Sequence, residues 1–403
     1  MELNNNRIGK ETIFIGFEEK PSALGLFRKS NPIDFGLLVT TIILAMVGLI
    51  MVYSVTLNSG IAFLKGQIIR VVIGLCALVI GSVVNYKVYQ GKTKDILLVG
   101  TILLLILTLT VGHKVAEAKR WALFFQPAEI VKYTLIIWLS GYFANLREKR
   151  KVGSAIQIKH DKFPFIPLAI VGLVVGLLLL QPAVGTSIIL SLSALFVFFI
   201  SGVKLRYLVL IALIGTVIFM LSILTIPYAK KRFNEFRAGA TYQQVQSRIA
   251  IGSGGILGKG LGEGKQKFYF LPKLHTDFIF SAIGEEFGFI GCFAIALLFF
   301  ILFSRGIRIA VEINDDFGQL LVAGIIIIIF QYLLIHISVA LSIIPTTGQP
   351  LPFVSFGGSA LATNLYAIGI VLNASKDRRK KVENSSIRNR WNRRTYIPST
   401  RNW

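Results

Sequence analysis

The stretch that decides the fold class covers residues 96–111 and reads ILLVGTILLLILTLTV, without a charged side chain. A second run, residues 320–330, reads LLVAGIIIIIF. A helix needs about 20 apolar residues to cross roughly 30 Å of hydrocarbon, and blocks that approach this length are typical of membrane helices. Neither run alternates polar and apolar residues as barrel strands do. The two runs therefore predict membrane-spanning helices.

The composition extends this prediction to the whole chain. Hydrophobic residues make up 54% and charged residues only 16% of the 403 residues, whereas a soluble domain carries about a quarter charged residues. We predict an all-α membrane protein of about ten transmembrane helices, with a long extracytoplasmic loop, residues 227–286, between helices seven and eight. The predicted spans are 35–55, 67–84, 96–112, 127–143, 164–180, 185–201, 207–226, 287–303, 319–340 and 357–373.

The net charge of +23 is distributed as in a membrane protein, and we predict no nucleic-acid partner. Lys and Arg are about twice as frequent in one set of alternate loops as in the other, which predicts that this set faces the cytoplasm. The chain is then a multi-pass protein of the cytoplasmic (inner) membrane with both termini in the cytoplasm. Basic loops beside a bilayer also contact anionic membrane lipids.

Three parts are predicted along the chain: a cytoplasmic N-terminal segment, 1–33, a ten-helix membrane domain, 34–375, and a basic cytoplasmic tail, 376–403. The first span is expected to act as the insertion signal, without a removable signal peptide. Cys76 and Cys292 lie inside apolar runs, and both are predicted to be small buried residues without disulfide or metal chemistry.

The first polar segment on the predicted outer side contains Lys119, Arg120 and Gln126 and leads into span four. Glu129 and Lys132 follow at positions i and i+3, so their side chains can pair on one helix face. Ionisable residues this deep in a membrane are costly unless paired, and they mark functional cavities more often than not. The alternative is a purely structural ion pair at a helix mouth.

Loop 227–286 is too long for a simple connection, and its aromatic and aliphatic residues favour short helices at the membrane surface. Between residues 227 and 277 it carries nine basic and three acidic residues, which suits an anionic partner such as a pyrophosphate or a phospholipid head group. Asp277 lies near the predicted membrane boundary, with His275 two residues away. This position suits a general base; a solvated loop carboxylate is the alternative.

Two further features concern the ends of the last spans. Glu285 and Glu286 precede predicted span eight and are expected to cap that helix, where the helix dipole favours carboxylates. Segment 344–359 contains Pro345, Pro350 and Pro352, which forbid a continuous helix. A broken, re-entrant segment is predicted, and such backbone persists at membrane depth only where protein or a watery cavity covers it. Cavity lining and a simple connection both remain open.

Taken in order, these segments resemble the RodA/FtsW/SpoVE family, also called SEDS proteins, over roughly residues 33–375. Several separate motifs carry the resemblance: Met51-Val52-Tyr53-Ser54, Lys119-Arg120-Trp121, Gln126-Pro127-x-Glu129-x-x-Lys132, Gln181-Pro182-x-x-Gly185-Thr186, the block 246–280, and the block 350–359. Gly258-Lys259-Gly260 is typical of the RodA branch. Met51-Val52-Tyr53, Gln266-Lys267 and Ile283-Gly284-Glu285-Glu286 are typical of FtsW or SpoVE, and we favour the FtsW-like branch.

The resemblance implies a peptidoglycan glycosyltransferase that polymerises lipid II outside the membrane, in complex with a class B penicillin-binding protein, the transpeptidase. The acceptor's sugar 4-hydroxyl would attack C1 of the donor sugar, and undecaprenyl pyrophosphate would leave. Asp277 matches the family's essential outer-loop aspartate and is the predicted base. The expected substrate-binding residues are Arg120, Lys119, Gln126, Glu129, Lys132, Gln246, Ser247 and His275. A divalent ion, Mg²⁺ or Mn²⁺, could share the pyrophosphate's charge, and no metal-ligating residues are assigned.

Three positions depart from the family's usual pattern. Ala128 stands where Ser is usual, Ala183 where Asp is usual, and Lys273 where Glu is usual. The last two departures motivate an alternative, a catalytically weak scaffold of the cell-wall synthesis complex. A second alternative is a lipid II flippase, a transporter, which would need polar residues through the whole bilayer, whereas the polar clusters lie chiefly in its outer half.

Overall fold

The structure, a computed structural model, describes residues 32–57, 61–111, 113–115, 118–121, 125–151, 163–239, 241–268 and 271–378. A short antiparallel hairpin, β1 His113–Val115 and β2 Ala118–Trp121, joins the third and fourth helices. The helices within these ranges are α1 Phe35–Thr56, α2 Ile61–Val83, α3 Thr93–Val111, α4 Pro127–Lys151, α5 Phe165–Leu180, α6 Val184–Ile200, α7 Leu205–Thr225, α8 Pro227–Arg237, α9 Tyr242–Gly254, α10 Ile279–Glu312, α11 Asp316–Ala340 and α12 Gly358–Ala374.

Ten of these helices correspond one to one to the predicted spans, and the predicted all-α membrane fold is confirmed. Within the described ranges, six helices are long and apolar enough to cross a membrane by length and composition, and two shorter helices, α5 and α6, are also apolar. The protein is therefore a multi-pass membrane protein. Loop 227–286 contains α8 and α9, as its apolar content predicted.

The predicted start of span eight at residue 287 is wrong, because α10 begins at Ile279 and contains a break at Gly288. Gly288 has φ 64° and ψ −160°, and a Cβ there would lie 2.4 Å from the backbone nitrogen of Gly258. After the break, the N–H groups of Phe289 and Ile290 donate to carbonyls of the loop that follows α9. Backbone from a neighbouring segment thus replaces the helical hydrogen bonds lost at the break.

Helix α11 lies at the centre of the bundle, with buried residues along its whole length. Among the helices that the structure describes, α2 and α12 share the most extensive contact. Their small residues let the two backbones approach directly. A Cβ added at Gly369 on α12 would lie 2.3 Å from the carbonyl oxygen of Leu78 on α2. Cys76, on the same helix as Leu78, is exposed, so its predicted burial is wrong; Cys292 is half-buried, and both thiols are free.

Gly369→Ala is expected to lower the free energy of unfolding by about 1–3 kcal/mol, because the added methyl group overpacks the α2–α12 contact. The matched control is Gly100→Ala on α3, where a Cβ meets nothing within 4 Å. The control should be neutral or slightly stabilising, since Ala favours a helix more than Gly does. Thermal unfolding of the purified protein in detergent measures both, and equal melting temperatures would contradict the close α2–α12 approach.

The chain between α11 and α12, residues 341–357, is not helical, as its prolines predicted. Leu351, Phe353 and Val354 in this segment are almost completely buried. The hydroxyl of Ser355 donates to the carbonyl of Thr276 at 2.7 Å. The segment therefore packs inside the bundle and is fixed against the end of loop 227–286.

The end of the bundle opposite loop 227–286 is held by charged side chains. Asp34, which caps α1, pairs with Arg305 at 3.2 Å and with Arg378 at 3.0 Å. Tyr86 donates to Asp315 and Asp377. These contacts join both ends of the membrane domain to its interior helices. Most of the predicted N-terminal segment, and residues 379–403 of the predicted tail, lie outside the described residues.

Candidate functional site

The first part of the candidate site is a buried ion pair on α4. Pro127 occupies the first position of α4, where its missing N–H has no helical partner in any case, and Glu129 lies in the same turn. Lys132 Nζ lies 2.7 Å from Glu129 Oε2, with the two side chains 0% and 4% exposed. The predicted pairing is confirmed. A charge buried this deeply requires a partner of opposite sign.

Three side chains from α4, α11 and α12 complete the surroundings of Lys132. Asn364 Oδ1 accepts hydrogen bonds from Lys132 Nζ at 3.1 Å and from the Tyr133 hydroxyl at 2.6 Å. The Lys132 ammonium lies 4.2 Å from the ring centroid of Tyr332, a distance typical of a cation–π contact. The ammonium group is thus held in one place between three helices. Neither Asn364 nor Tyr332 was predicted, because their contacts with Lys132 bridge distant parts of the chain.

Asp277 ends a turn that precedes α10, and the segment 341–357 holds this turn in position. The backbone N–H of Phe356 donates to the carbonyl of His275 at 2.9 Å. The His275 ring packs edge-on against Phe63 and Phe356, with centroids 5.7 Å and 5.4 Å away. Burial lowers the pKa of His275, and the nearby charge of Asp277 opposes that shift only in part. A neutral imidazole is therefore expected beside Asp277 at neutral pH.

Arg232 on α8 is a cation close to Asp277 that the sequence reasoning missed. A Cβ built on Gly348 would lie 3.8 Å from Asp277 Oδ2 and 3.9 Å from Arg232 Nη1. The same guanidinium donates to the carbonyl of Thr346. Gly348 has φ 66°, a backbone conformation that favours glycine, so the backbone passes directly beside both charged groups. The cluster Lys230-Lys231-Arg232 was the available sequence signal.

Two further predicted site residues, Gln126 and Ser247, form contacts between helices. The backbone N–H of Gln126 donates to the hydroxyl of Ser359 at 3.2 Å, which brings the start of α4 to the start of α12. Ser247 is completely buried, and its hydroxyl contacts Ser281 at 2.6 Å and the Ala340 carbonyl at 2.7 Å. Its hydroxyl is therefore engaged in holding α9 against α10 and α11.

Gln246 lies next to Ser247 and accepts a hydrogen bond from the Gln266 amide at 3.3 Å. Lys119 and Arg120 belong to β2, and the backbone of Lys119 pairs with Lys114 in the hairpin. The side chains of Lys119 and Arg120 lie outside the described part of the structure, so their predicted phosphate contacts remain predictions.

Glu285 and Glu286 do not cap a helix, and that prediction is wrong. Glu285 accepts from Lys259 Nζ and from the backbone N–H of Lys265, both at 2.8 Å. Glu286 accepts from the Ser54 hydroxyl at 2.7 Å. Both side chains are almost fully buried. Their hydrogen bonds attach the loop after α9 and the end of α1 to α10. The two residues lie inside α10, and not at its start, because the helix begins earlier than predicted.

The three departures from the family pattern have separate surroundings. Ala128 and Ala183 are buried, whereas Lys273 is exposed in the turn that ends at Asp277. The Asp277 N–H donates to the Lys273 carbonyl at 3.0 Å. Among the residues that the structure describes, no group of three or more His, Cys, Asp or Glu side chains could hold a metal ion.

The fold and site together define a polytopic membrane protein in which Asp277 lies close to Arg232 and a buried Glu129–Lys132 pair lies on α4. A family model described as "Cell cycle protein", which covers FtsW, RodA and SpoVE, matches residues 35–380. The chain belongs to the FtsW/RodA/SpoVE family.

Curated relatives match over most of the chain. A protein of Geobacter sp. (strain M18) named "Probable peptidoglycan glycosyltransferase FtsW" is 34% identical over 86% of this chain and 98% of its own length. The Bacillus subtilis protein "Stage V sporulation protein E" is 35% identical over 87% of this chain and 98% of its own length. These relatives favour the FtsW-like branch, as predicted.

Two solved structures have the same fold. A chain from a peptidoglycan synthase complex, described as coordinating polymerization and crosslinking, superposes with a TM-score of 0.72 at 24% identity, over 87% of this chain and 99% of that chain. The rod shape determining protein RodA of Thermus thermophilus superposes with a TM-score of 0.66 at 25% identity, over 87% and 98% of the two chains.

Proposed function

We propose that this chain is a peptidoglycan glycosyltransferase that polymerises lipid II into glycan strands at the outer face of the cytoplasmic membrane during cell division or elongation. The observation that carries the proposal is the 34% identity, over 86% of the chain, to a relative named for this activity. The position of Asp277 beside Arg232 supports it, since the reaction needs both a base and positive charge.

In the proposed reaction, Asp277 accepts the proton of the acceptor's sugar 4-hydroxyl. The hydroxyl oxygen forms a bond to C1 of the donor sugar. The bond between C1 and the pyrophosphate oxygen breaks, and undecaprenyl pyrophosphate leaves with the bonding electron pair. Arg232 and the predicted cations Arg120 and Lys119 stabilise the charge that develops on the leaving group.

The deeper residues have two proposed roles. Lys132, held by Glu129, supplies positive potential to the substrate from within the bundle, while Gln126 and His275 contact the substrate. Gln246 lies in loop 227–286, and Ser247 positions α9.

The proposed setting follows from topology and charge. The ten-helix domain, 34–375, lies in the inner membrane, with the segment 1–33 and the basic tail 376–403 in the cytoplasm. A class B penicillin-binding protein is the proposed partner, supported by the fold shared with a chain from a peptidoglycan synthase complex. Membrane lipids surround the apolar helix faces, and no nucleic-acid partner is proposed.

The test is a reconstitution with purified protein, a class B penicillin-binding protein and lipid II in liposomes. We expect glycan strands, detected by gel electrophoresis after transpeptidation is blocked with a β-lactam. A parallel assay in sealed vesicles follows lipid II translocation. Translocation without strand synthesis would replace the enzyme with a flippase, and neither activity would favour the scaffold suggested by Ala183 and Lys273.

A further inference from the structure

Two polar side chains on α2 have buried atoms that form no hydrogen bond to any residue the structure describes. Gln67 is completely buried, and neither its amide nitrogen nor its amide oxygen is bonded to any described residue. One turn further on, Arg70 Nη1 is buried and likewise unbonded within the described ranges. The Arg70 guanidinium lies 4.1 Å from the ring centroid of Phe356. Arginine inside a membrane helix normally has an anionic partner or a function.

The start of α12 lies against these two side chains. A Cβ on Gly358, the first residue of α12, would be 3.3 Å from both Cδ and Nε of Arg70. A Cβ on Gly74 of α2 would likewise lie very close to the side chain of Leu365 on α12. The two helices run parallel, so Gln67, two turns before Gly74, lies level with the beginning of α12. Gln67 lies three residues before Arg70 and seven before Gly74, on the face of α2 that meets α12.

The first turn of α12 adds backbone donors to this position. Its N-cap residue, Gly357, supplies no side-chain cap. The first N–H groups of a helix have no helical acceptor, and together with the helix dipole they attract anions. A guanidinium, a side-chain amide and these N–H groups thus lie along the same part of the contact between α2 and α12. All of them can donate to the oxygens of a phosphate group.

We propose that Gln67, Arg70 and the first turn of α12 bind the diphosphate of a second lipid-linked substrate molecule. The assignment to the acceptor rests on the proposed function, because polymerisation brings together two polyprenyl-diphosphate sugars. The donor's diphosphate, which leaves in the reaction, would bind the cations near Asp277. The acceptor's diphosphate would therefore bind at the α2–α12 site. Its oxygens remain unreacted there.

The position of the site favours a lipid-linked phosphate over a soluble one. Arg70 lies within the part of α2, Ala62–Val83, that is long and apolar enough to cross a membrane. The neighbouring Ile69 and Ile73 are exposed on the outer surface of α2, where lipid chains would lie. Phe356, which stacks on Arg70, also bonds through its N–H to the turn that carries Asp277. A molecule anchored here can therefore direct its sugar towards the proposed base.

The test uses Gln67→Leu, Gln67→Glu and Arg70→Met, with the lipid-facing Ile69→Ala as the matched control. Because the acceptor's diphosphate does not react, the KM for lipid II should rise about tenfold to a hundredfold in each of the three variants, far more than kcat falls. Gln67→Glu should have the largest effect, since its carboxylate repels the diphosphate. The control should keep the wild-type KM. Unchanged KM values in all three variants would overturn the proposal.

The stability of the unliganded protein distinguishes a packing role of Gln67 from a role in binding. Replacing an unpaired buried amide with an apolar group of similar shape is neutral or stabilising, so unliganded Gln67→Leu should melt at or above the wild-type temperature. A much lower melting temperature would mean that the amide serves packing, and the proposal would fail.

A direct measurement of lipid binding tests the proposed site independently of the enzyme activity. Undecaprenyl diphosphate in nanodiscs should raise the melting temperature of the wild type and not that of Arg70→Met. Inorganic pyrophosphate at the same concentration should have little effect, and stabilisation by pyrophosphate alone would overturn the lipid assignment. If the wild type binds the lipid but makes no glycan, the proposed function fails while the anion site stands.

Discussion

Asp277→Asn is expected to slow glycan-strand synthesis from lipid II by about a hundredfold to ten-thousandfold, the range that a general base contributes. The amide keeps the shape of the side chain but cannot accept the proton of the acceptor hydroxyl. The turn that carries Asp277 is held by backbone bonds, Asp277 N–H to the Lys273 carbonyl and Phe356 N–H to the His275 carbonyl. The substitution should therefore leave the fold and the melting temperature unchanged.

The matched control is Glu263→Gln, which removes an exposed carboxylate from the same loop. The control should polymerise lipid II at the wild-type rate, because its side chain has no proposed part in the reaction. Initial rates at saturating lipid II measure both variants. Strand synthesis by Asp277→Asn at the rate of the control would remove Asp277 from the mechanism, and rescue of a depleted strain by Asp277→Ala would favour the scaffold.

Lys132→Met is expected to cost about 3–5 kcal/mol of stability, because it leaves the Glu129 carboxylate buried without its cation. Glu129→Gln should also destabilise, since it leaves the ammonium with only Asn364 and the Tyr332 ring. The double variant Glu129→Gln/Lys132→Met removes both charges and should recover most of the lost stability. Chemical or thermal unfolding in detergent gives the three values, and simple additivity of the two single effects would contradict the pairing.

The double variant also separates the two interpretations of this ion pair. If the pair only stabilises the junction of α4, α11 and α12, the double variant, which should be folded, should polymerise lipid II normally. If Lys132 supplies positive potential to the bound substrate, as proposed, the double variant should fold and remain severely impaired. Full activity of the double variant would restrict the pair to a structural role.

The candidate site could be predicted only where its contacts are local in sequence. The pairing of Glu129 with Lys132 follows from their spacing within one helix, and the structure confirms it. Arg232 could not be placed beside Asp277, because the two belong to segments that only the fold brings together. For the same reason the sequence did not reveal that Asn364, on α12, accepts hydrogen bonds from α4.

By itself the sequence determined the membrane class, the presence and order of ten apolar helices, the helices of the long outer loop and the broken segment before α12. All of these depend on local runs of apolar residues, on proline and on loop length. The tertiary structure alone decided the break of α10 at Gly288 and the true partners of Glu285 and Glu286. It also decided the approach of α12 to Arg70. These features depend on backbone and side chains from distant segments, and such contacts form only when the helices pack.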